Sequence, residues 1–138
     1  MWFYYALLSA LFAAFTAIFA KMGVSNINSN LATAIRTIVI LVIVWSIVFV
    51  KGEAKEIGSL SKINIIFLVL SGIATGLSWL FYFKALQIGK VSQVAAVDKL
   101  SVAIAVILAV LFFKETLTLK TAIGALLIIS GTILFALK

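Results

Sequence analysis

Five stretches of about twenty mostly apolar residues make up nearly all of this 138-residue chain. They cover residues 2–20, 31–50, 63–83, 91–113 and 119–137. A helix needs about 20 apolar residues to cross roughly 30 Å of hydrocarbon, so each stretch is long enough to span a bilayer. No amphipathic stripe runs along them, as it would along helices lying on a water-soluble core. A backbone in lipid must satisfy its own hydrogen bonds, which leaves helices or a closed barrel. The stretches are about twice the length of a barrel strand and do not alternate polar with apolar residues. The first has no basic leader and outruns the apolar part of a cleaved signal peptide, so it reads as a span. The fold class is all-α integral membrane, with five transmembrane helices.

Composition excludes most other classes. The chain is 65% hydrophobic and 11% charged, and a globule of this size has too much surface to hide so many apolar side chains from water. It contains no Cys and no His. Disulfides, thiolate or imidazole metal sites, thiol nucleophiles and imidazole bases are therefore all absent. Its four carboxylates are Glu53, Glu56, Asp98 and Glu115, too few and too scattered for a hydrolytic site. The expectation is no enzyme, no metal and no cofactor. The net charge of +7 comes from basic residues standing singly between apolar runs, where they anchor at lipid headgroups rather than gather on a nucleic-acid-binding face.

The connections are short. Residues 22–30 and 51–62 are polar and rich in turn formers, with Ser29 or Asn30 placed to cap the second helix and Ser61 the third. Residues 114–118 force a tight antiparallel hairpin. No linker interrupts the chain, so 1–138 reads as a single transmembrane domain. Five spans put the termini on opposite sides of the membrane. Lys51, Lys55, Lys62, Lys114 and Lys120 then fall on one side, and Lys21, Lys84, Lys90 and Lys138 on the other. Arg36 and Lys99 sit nearer the second side, so five basic residues oppose four or six. The positive-inside signal almost cancels. Either a weakly biased chain inserts one way, or copies insert both ways and pair head-to-tail.

Candidate site residues follow from charge inside the spans. Asp98 is the one acid within a span and Arg36 lies within the second. At 1.5 Å per residue both sit ~8–11 Å from the same side, with Lys21 and Lys84 at helix ends facing that side. An unpaired charge at such depth costs about 2.5–3.5 kcal/mol, so Asp98 is expected to pair with Arg36 or Lys84. The functional reading makes Asp98 a proton- or substrate-responsive switch and Arg36 a substrate anchor, with Lys84 and Lys99 nearby. The alternative is a structural ion pair with snorkelling lysines. Thr75, Trp79 and Tyr82 or Phe83 are spaced to share a helix face and line a cavity, or else to pack and anchor. Gly72 and Gly76 form a GxxxG pair, and Gly124 and Gly131 share a face, as packing seams or hinges.

From the third helix onward the chain resembles one EamA-type unit of the drug/metabolite transporter superfamily. The resemblance rests on Tyr82-Phe83-Lys84-Ala85-Leu86-Gln87-Ile88-Gly89, then Val91 to Val97, then Leu100-Ser101 before a small-residue helix. It continues through Phe112-Phe113-Lys114-Glu115-Thr116-Leu117-Thr118, similar to the family's Phe-x-Gly-Glu-x-Leu-Thr turn, and through Ile123, Gly124, Leu127, Ile128 and Gly131. It implies one half of an inverted-repeat fold and a secondary transporter of a small metabolite working by alternating access. Typical members carry two units in opposite orientation, so a homodimer is implied, and the charge balance favours the antiparallel, dual-topology form. Glu115 matches the family's turn glutamate, read as a structural cap for the last helix. Val102 stands where many members have proline, so gating is expected at Gly72, Gly76 and Gly89. The first helix lacks the acid that cation-exporting relatives use. The net positive charge within the spans favours an anionic or zwitterionic substrate. The expected partners are the bilayer, a second copy and that substrate, with no nucleic acid, in a prokaryotic cytoplasmic membrane. The rival reading is a non-transporting membrane subunit or a partner of another membrane unit.

Overall fold

The computed structural model describes residues 1–137, and Lys138, counted above in the charge balance, lies outside them. Its helices are α1 (Trp2–Val24), α2 (Ser29–Val50), a 3₁₀ helix (Glu53–Ser59), α3 (Lys62–Ile88), α4 (Val91–Asp98), α5 (Leu100–Phe113) and α6 (Leu119–Ala136). Five stretches are long and apolar enough to cross a membrane, with α4 and α5 together forming the fourth, Val91–Phe113. The described residues contain no strand, so the all-helical membrane fold stands.

Three boundaries differ from expectation. Helix α1 runs past Lys21 to Val24, and α3 runs past Lys84 to Ile88. A lysine does not end a helix: its long stem carries the ammonium away from the cylinder to a partner while the backbone runs on. Both helices stop instead where turn formers begin, near Ser25 and Gly89. The third difference is a break in the fourth span at Lys99.

Large apolar side chains lie exposed along every span, Phe12 at 65% and Leu127 at 68% among them. In water this surface would aggregate; in hydrocarbon it is the solvated face. Lipid tails are as apolar as leucine, so helix association must draw on close packing and polar contacts.

The chain resolves into two compact units, one of Phe19–Gln87 and one of Met1–Ile18 with Ile88 onward. In the first, the ends of α1 and α3 are clasped by polar side chains. Lys21 Nζ donates to the Leu86 carbonyl at 2.6 Å. Gln87 Nε2 donates to the carbonyls of Ile27 at 2.9 Å and Val24 at 3.4 Å. These bonds take up carbonyls that a helix end leaves without intrahelical donors, and Val24 and Leu86 beside them are fully buried. The cap of α2 is Asn28 rather than Ser29 or Asn30: its Oδ1 accepts from the Asn30 amide at 2.8 Å. Ser61 caps α3 as expected, accepting from the Asn64 amide at 3.1 Å.

In the second unit α4 and α5 pack against α6, with Ala103 and Thr132 buried. Helix α5 ends on Lys114 in the left-handed region at φ 54°. Thr118 then opens α6, its Oγ1 accepting from the Thr121 amide at 3.2 Å. Glu115 stands in this turn as expected, but it is not the cap. Thr118 holds that position, three residues before the amide it accepts from.

Candidate functional site

In the Phe19–Gln87 unit, Arg36 is the charge that lies deepest in a span. It is the eighth residue of α2, about 10 Å from the helix start at 1.5 Å per residue. Its guanidinium carbon sits 4.2 Å from the centre of the Trp79 ring and 5.3 Å from that of Phe83. Trp79 and Phe83 are four apart on α3, so a single face presents both rings. Rings held over a guanidinium supply attraction through their negative faces without forming hydrogen bonds. The in-plane N–H donors of Arg36 meet no carboxylate and no hydrogen-bond acceptor among the described residues. Among the described residues no buried side-chain nitrogen is left unpartnered, so the N–H edge is accessible.

The neighbouring lysines are committed. Lys21 holds the Leu86 carbonyl, and Lys84 donates to Gln87 Oε1 at 3.4 Å. Lys84 also borders a groove of about 350 Å³ with Asn28, Ser29, Asn30, Leu77, Leu80 and Phe81. That groove lies on a different face of α3 from Trp79 and Phe83, since positions 77, 80, 81 and 84 form their own helical stripe. Thr75 is exposed, and its Oγ1 turns back to the Ser71 carbonyl at 2.9 Å. Tyr82 is half-buried and meets Phe83 edge-on at 6.4 Å between ring centres.

In the other unit the fourth span is broken at one residue, Lys99, whose backbone stays in the right-handed region at φ −69°, ψ −9°. The amide of Lys99 bonds the Ala96 carbonyl at 3.0 Å and that of Val102 bonds the Lys99 carbonyl at 3.0 Å. Both are i to i+3 contacts, so the ladder tightens across the break. Thr132 on α6 donates its Oγ1 to the same Ala96 carbonyl at 3.1 Å. A side chain inserted into the ladder is a recognised cause of a break without proline or glycine. Freed backbone groups in a membrane helix are held in this way by hydroxyls of neighbouring helices.

Asp98 pairs with Lys99, Oδ2 to Nζ at 3.5 Å, with both side chains about half exposed. The expected partners, Arg36 and Lys84, belong to the other unit; within its own unit the partner of Asp98 is Lys99. Consecutive residues diverge on a regular helix and do not face each other; at the break they meet. The four candidate glycines also behave differently from a seam within one chain. A Cβ at Gly72, Gly76, Gly124 or Gly131 meets no atom within 4 Å.

Thr132 is the residue that the sequence reading missed. It is 5% exposed, and nothing local marks a threonine in an apolar helix as the partner of a carbonyl 36 positions away. The one available signal was its place one residue after Gly131, on the small-residue side of α6. The described residues hold no cluster of groups able to bind a metal ion.

Comparison with known proteins bears on the whole chain. The profile of the EamA-like transporter family matches residues 1–137. A Sinorhizobium protein described as an uncharacterized transporter in the cobO 3′ region is 47% identical over 135 residues, which cover 98% of this chain and 96% of that protein. An uncharacterized protein of Methanocaldococcus jannaschii is 40% identical over 70 residues, 51% of each chain. No solved structure matches.

Proposed function

This chain belongs to the EamA-like transporter family, and on that premise we propose that it carries a small anionic or zwitterionic metabolite across a prokaryotic cytoplasmic membrane. Transport proceeds by alternating access in a homodimer of oppositely inserted copies, so that the second copy supplies the inverted repeat. The observation that carries this reading is the interrupted fourth span, with Asp98 and Lys99 at the break. Irregular backbone at membrane depth is tolerated where it is buried in protein or lines a water-filled cavity, and transporters bind substrate and coupling ions at such broken helices. Charged residues in a span mark the same kind of place.

In this reading Asp98 responds to protons or substrate. Its charge sets whether Lys99 is neutralised, and α4 and α5 shift about the break as the pathway changes side. The absence of proline fits, because the Thr132 hydroxyl on the Ala96 carbonyl supports the break from a neighbouring helix. Arg36 is the substrate anchor. Gly72, Gly76, Gly124 and Gly131, unoccupied within one chain, are surfaces for the second copy. The Sinorhizobium relative, matched over nearly its whole length, supports a carrier made from single units. Family membership supports transport rather than catalysis.

The test is flux in proteoliposomes loaded with a mixed pool of small organic acids and amino acids, with and without a pH gradient. The wild-type chain is expected to give accumulation that responds to the gradient, and Asp98→Asn to abolish that response. Gradient-driven flux unchanged in Asp98→Asn would remove Asp98 from the mechanism. No flux of any pool member would count against a carrier.

A further inference from the structure

Arg36 is more than a positive charge at depth; its surroundings select among anions. We propose that the guanidinium of Arg36, with Trp79 and Phe83 packed on it, is a recognition site for the carboxylate of an organic monocarboxylate whose apolar body lies along the α2–α3 aromatic face. This narrows the substrate class and rests on the reading of Arg36 as a substrate anchor.

Three observations converge. First, the contacts that hold Arg36 are to its π-system, at 4.2 Å from Trp79 and 5.3 Å from Phe83. Contacts with rings take up none of the N–H donors and leave them for a ligand, and a guanidinium fork matches a carboxylate through two bonds at once. Second, no carboxylate among the described residues of the same unit answers the charge. The acids of the same unit are Glu53 and Glu56, in the 3₁₀ helix beyond the far end of α2, and Glu53 pairs with Lys51 at 3.8 Å. A half-buried cation in a span without a counter-ion is costly, and a ligand anion removes that cost. Third, a single cation is on offer. Lys21 and Lys84 are held by Leu86 and Gln87 and neither is shown against the guanidinium, so the contacts on the page supply one fork, which fits a single carboxylate better than a dianion such as phosphate or a dicarboxylate. The walls of the site are aromatic, which suits an apolar body behind the carboxylate.

Trp79 supplies its own reporter. The chain has three tryptophans, and Trp2→Phe with Trp45→Phe leaves Trp79 alone while keeping the ring that packs on Phe49. The full chain in neutral detergent is titrated with benzoate, with benzamide as the neutral isostere and with inorganic phosphate, while Trp79 emission is followed. Benzoate is expected to give a saturable change, and benzamide and phosphate to give none in the same range. Arg36→Lys keeps the charge and loses the fork, so its benzoate affinity should fall several-fold. Arg36→Gln should lose about tenfold or more, as expected when a charge-assisted bidentate contact is removed. Equal response to benzamide would make the site an apolar patch, and effective competition by phosphate would make it a general anion site; either overturns the proposal. So would unchanged benzoate affinity in Arg36→Lys and Arg36→Gln. The benzamide and phosphate arms use the unmutated Arg36, so they decide the matter even if the substitutions impair folding. Saturable binding without flux in proteoliposomes would refute transport and leave the carboxylate site standing. Flux of an organic acid with no Trp79 response to benzoate would refute the site and leave transport standing.

Discussion

Replacing Thr132 by valine isolates the contact that sustains the break in the fourth span. Threonine and valine share shape and β-branching, so the change exchanges one hydroxyl for a methyl at a position 5% exposed. The bond lost is Oγ1 to the Ala96 carbonyl at 3.1 Å. Ala96 keeps its contact from the Lys99 amide at 3.0 Å, so the carbonyl is not orphaned and the full desolvation penalty does not apply. A net hydrogen bond contributes about 0.5–1.5 kcal/mol in proteins generally. Interhelical side-chain bonds within membranes average about 0.6 kcal/mol. Thr132→Val should therefore lower stability by ~0.6–1.5 kcal/mol. The assay is reversible unfolding in mixed micelles, read together with amide exchange across residues 96–102. Thr132→Ser, which keeps the hydroxyl, should stay close to wild type. Ser130→Ala removes a hydroxyl that bonds within its own helix, to Leu126 at 2.8 Å, and should change exchange at the break little. If Thr132→Val matches Thr132→Ser in both stability and exchange at residues 96–102, Thr132 does not hold the break and the argument fails.

Two further substitutions probe other links. Lys114 adopts φ 54° at the end of α5, a conformation that costs a side-chain-bearing residue about 1–2 kcal/mol; Lys114→Gly should raise stability in the same unfolding assay by up to about 1 kcal/mol. Gly72→Leu places a bulky side chain where a single chain has open space, so the monomer should remain helical by circular dichroism while dimer formation, measured by energy transfer between labelled copies in liposomes, weakens severalfold.

The spans were legible because length in apolar residues is a direct demand of the bilayer, and charge placement by depth singles out Arg36 and Asp98. The details that depend on distant partners were not. Lys21 and Lys84 read as helix ends, since a charge after an apolar run resembles an interface; local breakers, not charge, ended α1 and α3. The break at Lys99 carries no proline or glycine signature, and the hydroxyl that meets it is brought from α6. Asp98 meets its chain neighbour Lys99 at that break. The contact of Arg36 with Trp79 joins positions 43 apart, whose helical faces the sequence specifies only separately.

The claim that two oppositely inserted copies make the carrier is tested most directly by single-cysteine labelling. The chain has no native cysteine, so Asn26→Cys and Ser59→Cys each report one side of the membrane without background. Intact cells carrying either variant are treated with a membrane-impermeant maleimide, before and after permeabilisation. The account predicts that each variant is labelled from outside in about half of its copies, as the near-balance of basic residues between the two sides implies. Labelling of every copy from outside at one position and of none at the other would mean a single orientation, and would contradict the antiparallel dimer.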